Sequence, residues 1–269
     1  MESLVTALLV GALVTLGGSV LLGSVAMLRS ELLRPAHWSL WLAGGLLLAA
    51  LGVRAVTAGR APWSNLHETA IAFSFAVVTS YGVMQHRMPI GRLVPLVAAI
   101  AAGLAWLALA QPSEVLPLVP ALQAPLLLTV HVGAAIAAYA LGGLAFAAAL
   151  AEIAQRQAGD ALSFLPAAST ARAAAHRAVL LGFPILTAAI VLGSVWANLA
   201  WRSYWSNDPK ELAAAATWLV YGAYLHVATR RDAWGAAAPW LLVAGFAGVL
   251  FTYLGAGLVF VGEHSYAGR

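Results

Sequence analysis

Residues 194–211 read SVWANLAWRSYWSNDPKE. They hold Trp196, Trp201, Tyr204 and Trp205 and close on Asp208, Pro209, Lys210 and Glu211. Long apolar runs lie on both sides. A tryptophan-rich polar segment between two membrane spans lies at a membrane surface, where amphipathic rings concentrate in any membrane protein. The close of the segment is also a helix-start signal: Asp208 caps, Pro209 takes the first helical position, and Glu211 completes a capping box. What remains is a set of flat aromatic faces with a few charges beside them. That combination suits a large planar, carboxylate-bearing ligand such as haem.

The rest of the composition agrees with a membrane setting. The chain has 269 residues, of which 62% are hydrophobic and 9% charged, against roughly a quarter charged in an ordinary soluble domain. Its apolar runs are continuous rather than alternating, which predicts an all-α polytopic bundle and not a barrel. The net charge of +4 is accounted for by loop arginines and requires no nucleic acid. Cysteine is absent, so the chain itself supplies no disulfide, thiolate ligand or thiol nucleophile. The first apolar run has neither a basic leader nor a cleavage site and reads as a retained span.

Eight spans are predicted, at about 3–27, 38–56, 67–85, 93–110, 124–153, 177–197, 212–229 and 236–260, in one membrane domain covering 1–269. Each approaches the roughly 20 residues that a crossing needs. Arg29, Arg34, Arg87, Arg92, Arg156, Arg172, Arg177, Arg230 and Arg231 fall in the odd loops, against Arg54, Arg60, Arg202, Lys210 and Arg269 on the other side. This asymmetry predicts cytoplasmic odd loops, with both termini and the 194–211 segment outside. Among the outer loops, RAPWSNLHETA (60–70) carries Asn65 and Glu68 at capping spacing, and 111–125 is proline-rich. Of the inner ones, residues 161–177 read as a weak amphipathic helix along the membrane surface.

The seven histidines divide by depth. His37, His86 and His176 fall at the inner edge and read as solvated; His67, outside, reads as a solvated or capping neighbour. His131 lies just inside the fifth span from the outer side, and His264 follows the eighth span on that side. The two can meet at the depth of the tryptophan segment, and iron porphyrins take one axial ligand from each face. His226 lies about 22 Å down the seventh helix from Glu211. An ionisable group within a span is a functional candidate by default.

Trp196, Ala197, Asn198, Ala200, Trp201, Ser203, Tyr204, Trp205, Asp208, Pro209, Lys210 and Glu211 match the tryptophan-rich "WWD" signature W-A-N-x-A-W-x-S-Y-W-x-W-D-P-K-E. The segment thereby resembles the CcsA/ResC family of cytochrome c biogenesis proteins. Asn207 stands where that family usually has a further Trp, which removes one aromatic face. The resemblance extends to Ser64-Asn65-Leu66-His67-Glu68, where His67 replaces a family Tyr, and to the settings of His131 (Thr129-Val130-His131-Val132), His226 (Tyr224-Leu225-His226) and His264 (Gly262-Glu263-His264-Ser265-Tyr266). It covers residue 61 onward.

The resemblance implies a subunit of a cytochrome c synthase (haem lyase). Haem b, as cargo, would be presented outside to an apocytochrome c and joined to the thiols of its C-x-x-C-H motif. It implies His131 and His264 as axial ligands and His226 at an inner haem site. Trp196, Trp201, Tyr204 and Trp205 would pack on the porphyrin, and Arg202 and Lys210 would meet its propionates. Asp208, beside them, serves mainly as a cap, as does Glu211. The implied partner is a ResB/CcsB-type membrane subunit whose large external domain this chain lacks, so the chain is expected to be incomplete as a synthase. A thiol-reducing thioredoxin-like protein is a further implied partner. The implied location is a bacterial cytoplasmic membrane or a thylakoid-type membrane. Three other readings stay open: CcmC-like delivery of haem to a chaperone, a HemX-like role in haem biosynthesis, and a small-molecule transporter.

Overall fold

A chain in hydrocarbon must satisfy its own backbone polar groups, and uninterrupted apolar runs do so as helices. The computed structural model describes residues 1–118, 122–228, 230 and 233–255. Its helices are α1 (Glu2–Val25), α2 (Leu33–Ala58), α3 (Leu66–Gln85), α4 (Val94–Leu109), α5 (Pro125–Gln157), α6 (Ala168–Trp201), α7 (Pro209–Val227) and α8 (Ala233–Leu250). A π-helical turn, Phe251–Gly255, follows α8. The described residues contain no strand, so the all-helical expectation holds. Each of the eight predicted spans overlaps one helix, and the end of the eighth, 256–260, lies outside the described residues. Six of the helices are long and apolar enough to cross a membrane; α3 and α7 are not among them. Polar residues lower their hydropathy, notably Glu68 and Ser74 in α3 and Lys210 and Glu211 in α7.

The helices form two groups. In the first, α1 packs on α2 and α4, and α3 packs on α4 and α2. In the second, α5 packs on α6 and α8, and α7 packs on α8 and α6. The α3–α5 contact joins them. The buried face of α1 is Val5, Leu9, Ala12, Leu16, Ser19 and Gly23, spaced three and four apart as one helical stripe requires. Its opposite face is equally apolar and exposed, including Val10, Val14 and Leu21. That is the pattern of a helix whose surroundings are lipid rather than water. Polar contacts then tie helix to helix: Ser19 Oγ donates to the Ala36 carbonyl at 2.9 Å and Ser39 Oγ to the Thr15 carbonyl at 2.6 Å. Such small hydroxyl residues let helix backbones approach closely.

The predicted surface helix at 161–177 does not exist as a separate element. After α5 the chain turns through Gly159 and Asp160, both with positive φ, and α6 begins at Ala168 and runs unbroken past His176. The Gln155 side chain pins this turn, donating to the carbonyls of Leu162, Leu165 and Pro166 and accepting from the Leu162 N–H. Asp160 Oδ1 accepts from the Ala168 N–H at 2.7 Å and so caps α6. With its start capped and its first turns rich in alanine, the strongest helix former, the segment continues the span instead of breaking from it. Below the turn, buried Glu152 holds Arg156 at 2.6 Å and Arg172 at 2.8 Å.

Two of the histidines expected at the inner edge are less solvated than their positions suggested. His37 bonds the Leu33 carbonyl and the Tyr81 hydroxyl, both at 2.8 Å. His176 packs against the ring of Tyr224, while His86 is exposed.

Candidate functional site

The 194–211 segment is half helix and half loop. Trp196 and Trp201 belong to the last turns of α6, and the helix ends at Arg202, whose φ of 63° turns the chain out of it. Trp196 is only 2% exposed. It packs on Leu122 and Leu128 and meets Trp201 edge-on at 4.9 Å between ring centroids. On α5, the imidazole of His131 lies nearly parallel to Trp196, 6.2 Å away with 9° between the planes. His131 Nδ1 is 2.8 Å from the Ala189 carbonyl of α6. A carbonyl oxygen can only accept, so Nδ1 carries a proton; in the neutral ring it is the only one, and Nε2 carries none. A hydrogen bond at one ring nitrogen is the usual device for fixing the tautomer and aim of a ligating histidine.

The loop that follows is tied to both helices it joins. Ser194 Oγ donates to the Tyr204 carbonyl at 2.7 Å, and Ser203 Oγ donates to that of Trp205 at 2.8 Å. Asn207 sits at φ 59°, a left-handed conformation that asparagine tolerates better than most residues. Its Oδ1 accepts the Trp205 indole N–H at 2.8 Å. The predicted capping box is formed: Asp208 accepts from the Lys210 N–H, and Glu211 reaches back to the N–H groups of Asp208 and Ser206. Lys210 lies in this first turn, ahead of the apolar part of α7 that begins at Leu212. Burial pushes its ammonium below the ordinary lysine range, with Asp208 opposing the shift.

The facing wall comes from the other helix group. Asn65 Oδ1 accepts from the Glu68 N–H and caps α3. The Glu68 side chain is fully buried and takes donors from Arg54 at 2.8 Å, Arg60 at 3.2 Å, and the N–H and hydroxyl of Ser64, both at 2.9 Å. A carboxylate that satisfies this many donors holds the α2–α3 loop rigidly. Beside it Thr69 Oγ1 and Tyr253 Oη lie 3.0 Å apart, which links α3 to the π-helical turn. Such turns recur at functional sites.

Between these walls lies a cleft in which water centres can occupy about 280 Å³, over an order of magnitude more than the roughly 10–15 Å³ one water needs. His131, Trp196, Tyr204, Trp205, Lys210 and Glu211 line one side. Trp63, Ser64, Asn65, Leu66 and Thr69 line the other, with Thr252, Tyr253 and Leu254 from the π-helical turn after α8. Ala135, Ile136, Tyr139 and Leu186 form part of its apolar lining.

Of the residues singled out from the sequence, His131, Trp196, Tyr204, Trp205 and Lys210 thus come together on one cavity. Trp201 lies behind Trp196, and Asp208 is a buried cap. Arg202 is exposed at the end of α6 and does not line the cleft. His226 is exposed on the last turn of α7, away from the cleft. His264 lies outside the described residues. His67 is corrected: it is 2% exposed and its Nδ1 donates to the Ala108 carbonyl at 2.8 Å, so it is a core histidine and not a solvated one. Sequence reasoning did not single out Trp63, Tyr139 or Tyr253 for the site. Trp63 carried a signal, an aromatic residue beside a capping pair in an outer loop; the two tyrosines look like ordinary span residues.

An all-helical membrane protein with an aromatic, histidine-bearing cleft at one end of the bundle is the class that the fold and the site define. Residues 63–264 match the family described as cytochrome C assembly protein. The chain is 34% identical over 232 residues to the cytochrome c biogenesis protein CcsA of Chlamydomonas reinhardtii, covering 82% of this chain and 65% of that protein. It is 32% identical to CcsA of Guillardia theta, covering 80% of each, and 33% identical to CcsA of Gloeothece citriformis, covering 82% and 83%. The fold is similar to that of the cytochrome c haem lyase CcmF, with a TM-score of 0.73 at 21% identity, over 94% of this chain and 46% of that one. The chain belongs to the cytochrome c assembly protein family. It spans just under two thirds of the Chlamydomonas relative and about half of CcmF.

Proposed function

We propose that this chain binds haem in the cleft and presents it to an apocytochrome c, as one subunit of a cytochrome c synthase. The observation that carries the reading is His131: it lines an aromatic cavity, and its Nδ1 bonds the Ala189 carbonyl, the kind of hydrogen bond that orients a ligating histidine. Haem b is the cargo. Trp196 supports the imidazole from the side, and Tyr204 and Trp205 offer ring faces at the cavity. Lys210 is the cation positioned for a propionate; Arg202 lies off the cleft and contributes at most to the surrounding field. Trp201 acts through Trp196, and Asp208 through the helix start that carries Lys210. His264 supplies the second axial ligand, and His226, exposed on α7, serves an inner haem site.

The attachment chemistry then needs little of this chain. Each substrate thiol adds its S–H across a haem vinyl group, forming one C–S and one C–H bond with no leaving group and no net change of oxidation state. The chain has no cysteine, so both thiols belong to the C-x-x-C-H motif of the apocytochrome. They arrive reduced, which is the place for a thioredoxin-like partner. A ResB/CcsB-type subunit completes the synthase in a bacterial cytoplasmic or thylakoid-type membrane, with the cleft on the outer side. The relatives' name, cytochrome c biogenesis protein, supports this reading.

The test is the visible spectrum of the detergent-purified chain, oxidised and reduced, alone and with the partner subunit, beside His131→Ala and His264→Ala. A b-type haem spectrum that is lost or altered in both variants is expected. A chain that takes up no haem in either setting would return the tryptophan segment to an interfacial anchor.

A further inference from the structure

The setting of His131 depends on one residue that has no side chain. Ala189, Gly193 and Trp196 are spaced four and three apart on α6 and therefore share one face of the helix. All three touch the imidazole: Ala189 by its carbonyl, Trp196 by its ring, and Gly193 by an absence. A Cβ built on Gly193 would stand 2.7 Å from His131 Cε1, 3.2 Å from Nδ1 and 3.4 Å from Nε2. Real Cβ atoms essentially never approach within 3.0 Å of a neighbour. The ring thus lies directly over the Gly193 backbone. Any side chain there lifts it away from the Ala189 carbonyl, and with it goes the hydrogen bond that decides which nitrogen carries the proton. The contrast with nearby glycines is local. Gly133, two residues from His131 on α5, has nothing within 4 Å of its Cβ position.

We infer that Gly193 is a positioning residue for the haem ligand: its missing side chain is the seat that holds His131 flat on α6 and fixes its tautomer and aim. This rests on the proposed haem-binding role of His131 for its consequence, but not for the seating itself. Outer partners that orient a ligating histidine typically alter metal affinity by about 10–100-fold when lost.

The experiment compares the full chain with Gly193→Ala and Gly133→Ala in detergent. Both changes place alanine in a helix interior, where its propensity exceeds that of glycine by roughly 1 kcal/mol, so helix formation is not the variable. Two readouts are taken. The first is the histidine side-chain ¹⁵N spectrum without haem, with the His131 signals identified by their loss in His131→Ala. Wild type and Gly133→Ala should show a single tautomer protonated at Nδ1, and Gly193→Ala should shift toward tautomer exchange. The second is haem titration, where Gly193→Ala should weaken binding about tenfold or more with an altered low-spin spectrum, and Gly133→Ala should match wild type. Superimposable His131 signals and equal affinity in Gly193→Ala and wild type would overturn the inference while leaving the haem reading intact. A shifted His131 signal in a chain that binds no haem would uphold the seating and sink the haem reading.

Discussion

Trp196 and Trp205 belong to one segment and do different things. Trp196 is core: fully packed, with His131 on one side and Trp201 on another. Trp205 is 43% exposed, with its indole N–H on Asn207 and its carbonyl on the Ser203 hydroxyl. Trp196→Ala should therefore cost about 3–5 kcal/mol of stability, as truncation of buried aromatics does. Trp205→Ala should leave unfolding within roughly 1 kcal/mol of wild type and weaken haem binding by up to about tenfold, the scale of a ring contact. Denaturant unfolding and haem titration separate the two. Asn207 shows what sequence reading could not supply. Judged as a missing tryptophan, it subtracts an aromatic face; in place, it adopts the left-handed turn and orients the remaining one. Lys210 adds a pH signature. Its pKa in the fold lies below its unfolded value, so between the two the unfolded chain binds more protons and stability rises with pH. Below the folded pKa the buried charge is present and available to a propionate. Haem binding should weaken as pH rises through the folded pKa, and Lys210→Met should flatten the profile.

At the level of elements, the cleft depends on a loop that holds no histidine. Glu68 gathers two arginines and Ser64 beneath the wall that carries Trp63 and Asn65. Removing one partner of a buried pair leaves the other uncompensated, so Glu68→Ala should cost about 3–5 kcal/mol, and Glu68→Gln less. Thermal unfolding in detergent, followed by tryptophan fluorescence, reads both. The cap at Asn65 was legible from local spacing. The ion pair was not, because Arg54 lies fourteen residues away on another helix, and a sequence does not say which faces meet. The same limit explains His67, whose partner is the Ala108 carbonyl on α4. It also explains Tyr139 and Tyr253, which reach the cleft only because α5 and α8 pack together. The separate inner surface helix failed for a different reason. The Asp160 cap and the Gln155 clasp act across the turn, and no periodicity signals them.

At the scale of the molecule, continuous apolar runs made the eight helices readable, and ordered aromatic residues made one wall of the cleft readable, since both patterns are local in the chain. How the two helix groups enclose a cavity is a matter of packing. Sidedness can be measured without background labelling, because the chain has no cysteine. Ser206→Cys, in the tryptophan loop, should react with a membrane-impermeant maleimide added from outside intact cells. Ala161→Cys, in the α5–α6 turn, should react only after the membrane is opened. The reverse pattern would invert the assignment that the arginines give.

The walls of the cleft come from both helix groups, with the α2–α3 loop on one side and α5, α6 and α7 on the other. An occupant therefore acts as a stitch between two halves whose helices otherwise meet chiefly along α3 and α5. By mass action, an occupant present at a hundredfold excess over its dissociation constant stabilises the filled form by about 2.7 kcal/mol. Under the proposed function, each delivery to a recipient would give that stabilisation back. On the proposed carrier role, the chain would be most vulnerable to membrane proteases between releasing one cargo and receiving the next, and its abundance in the cell would become a gauge of cargo supply.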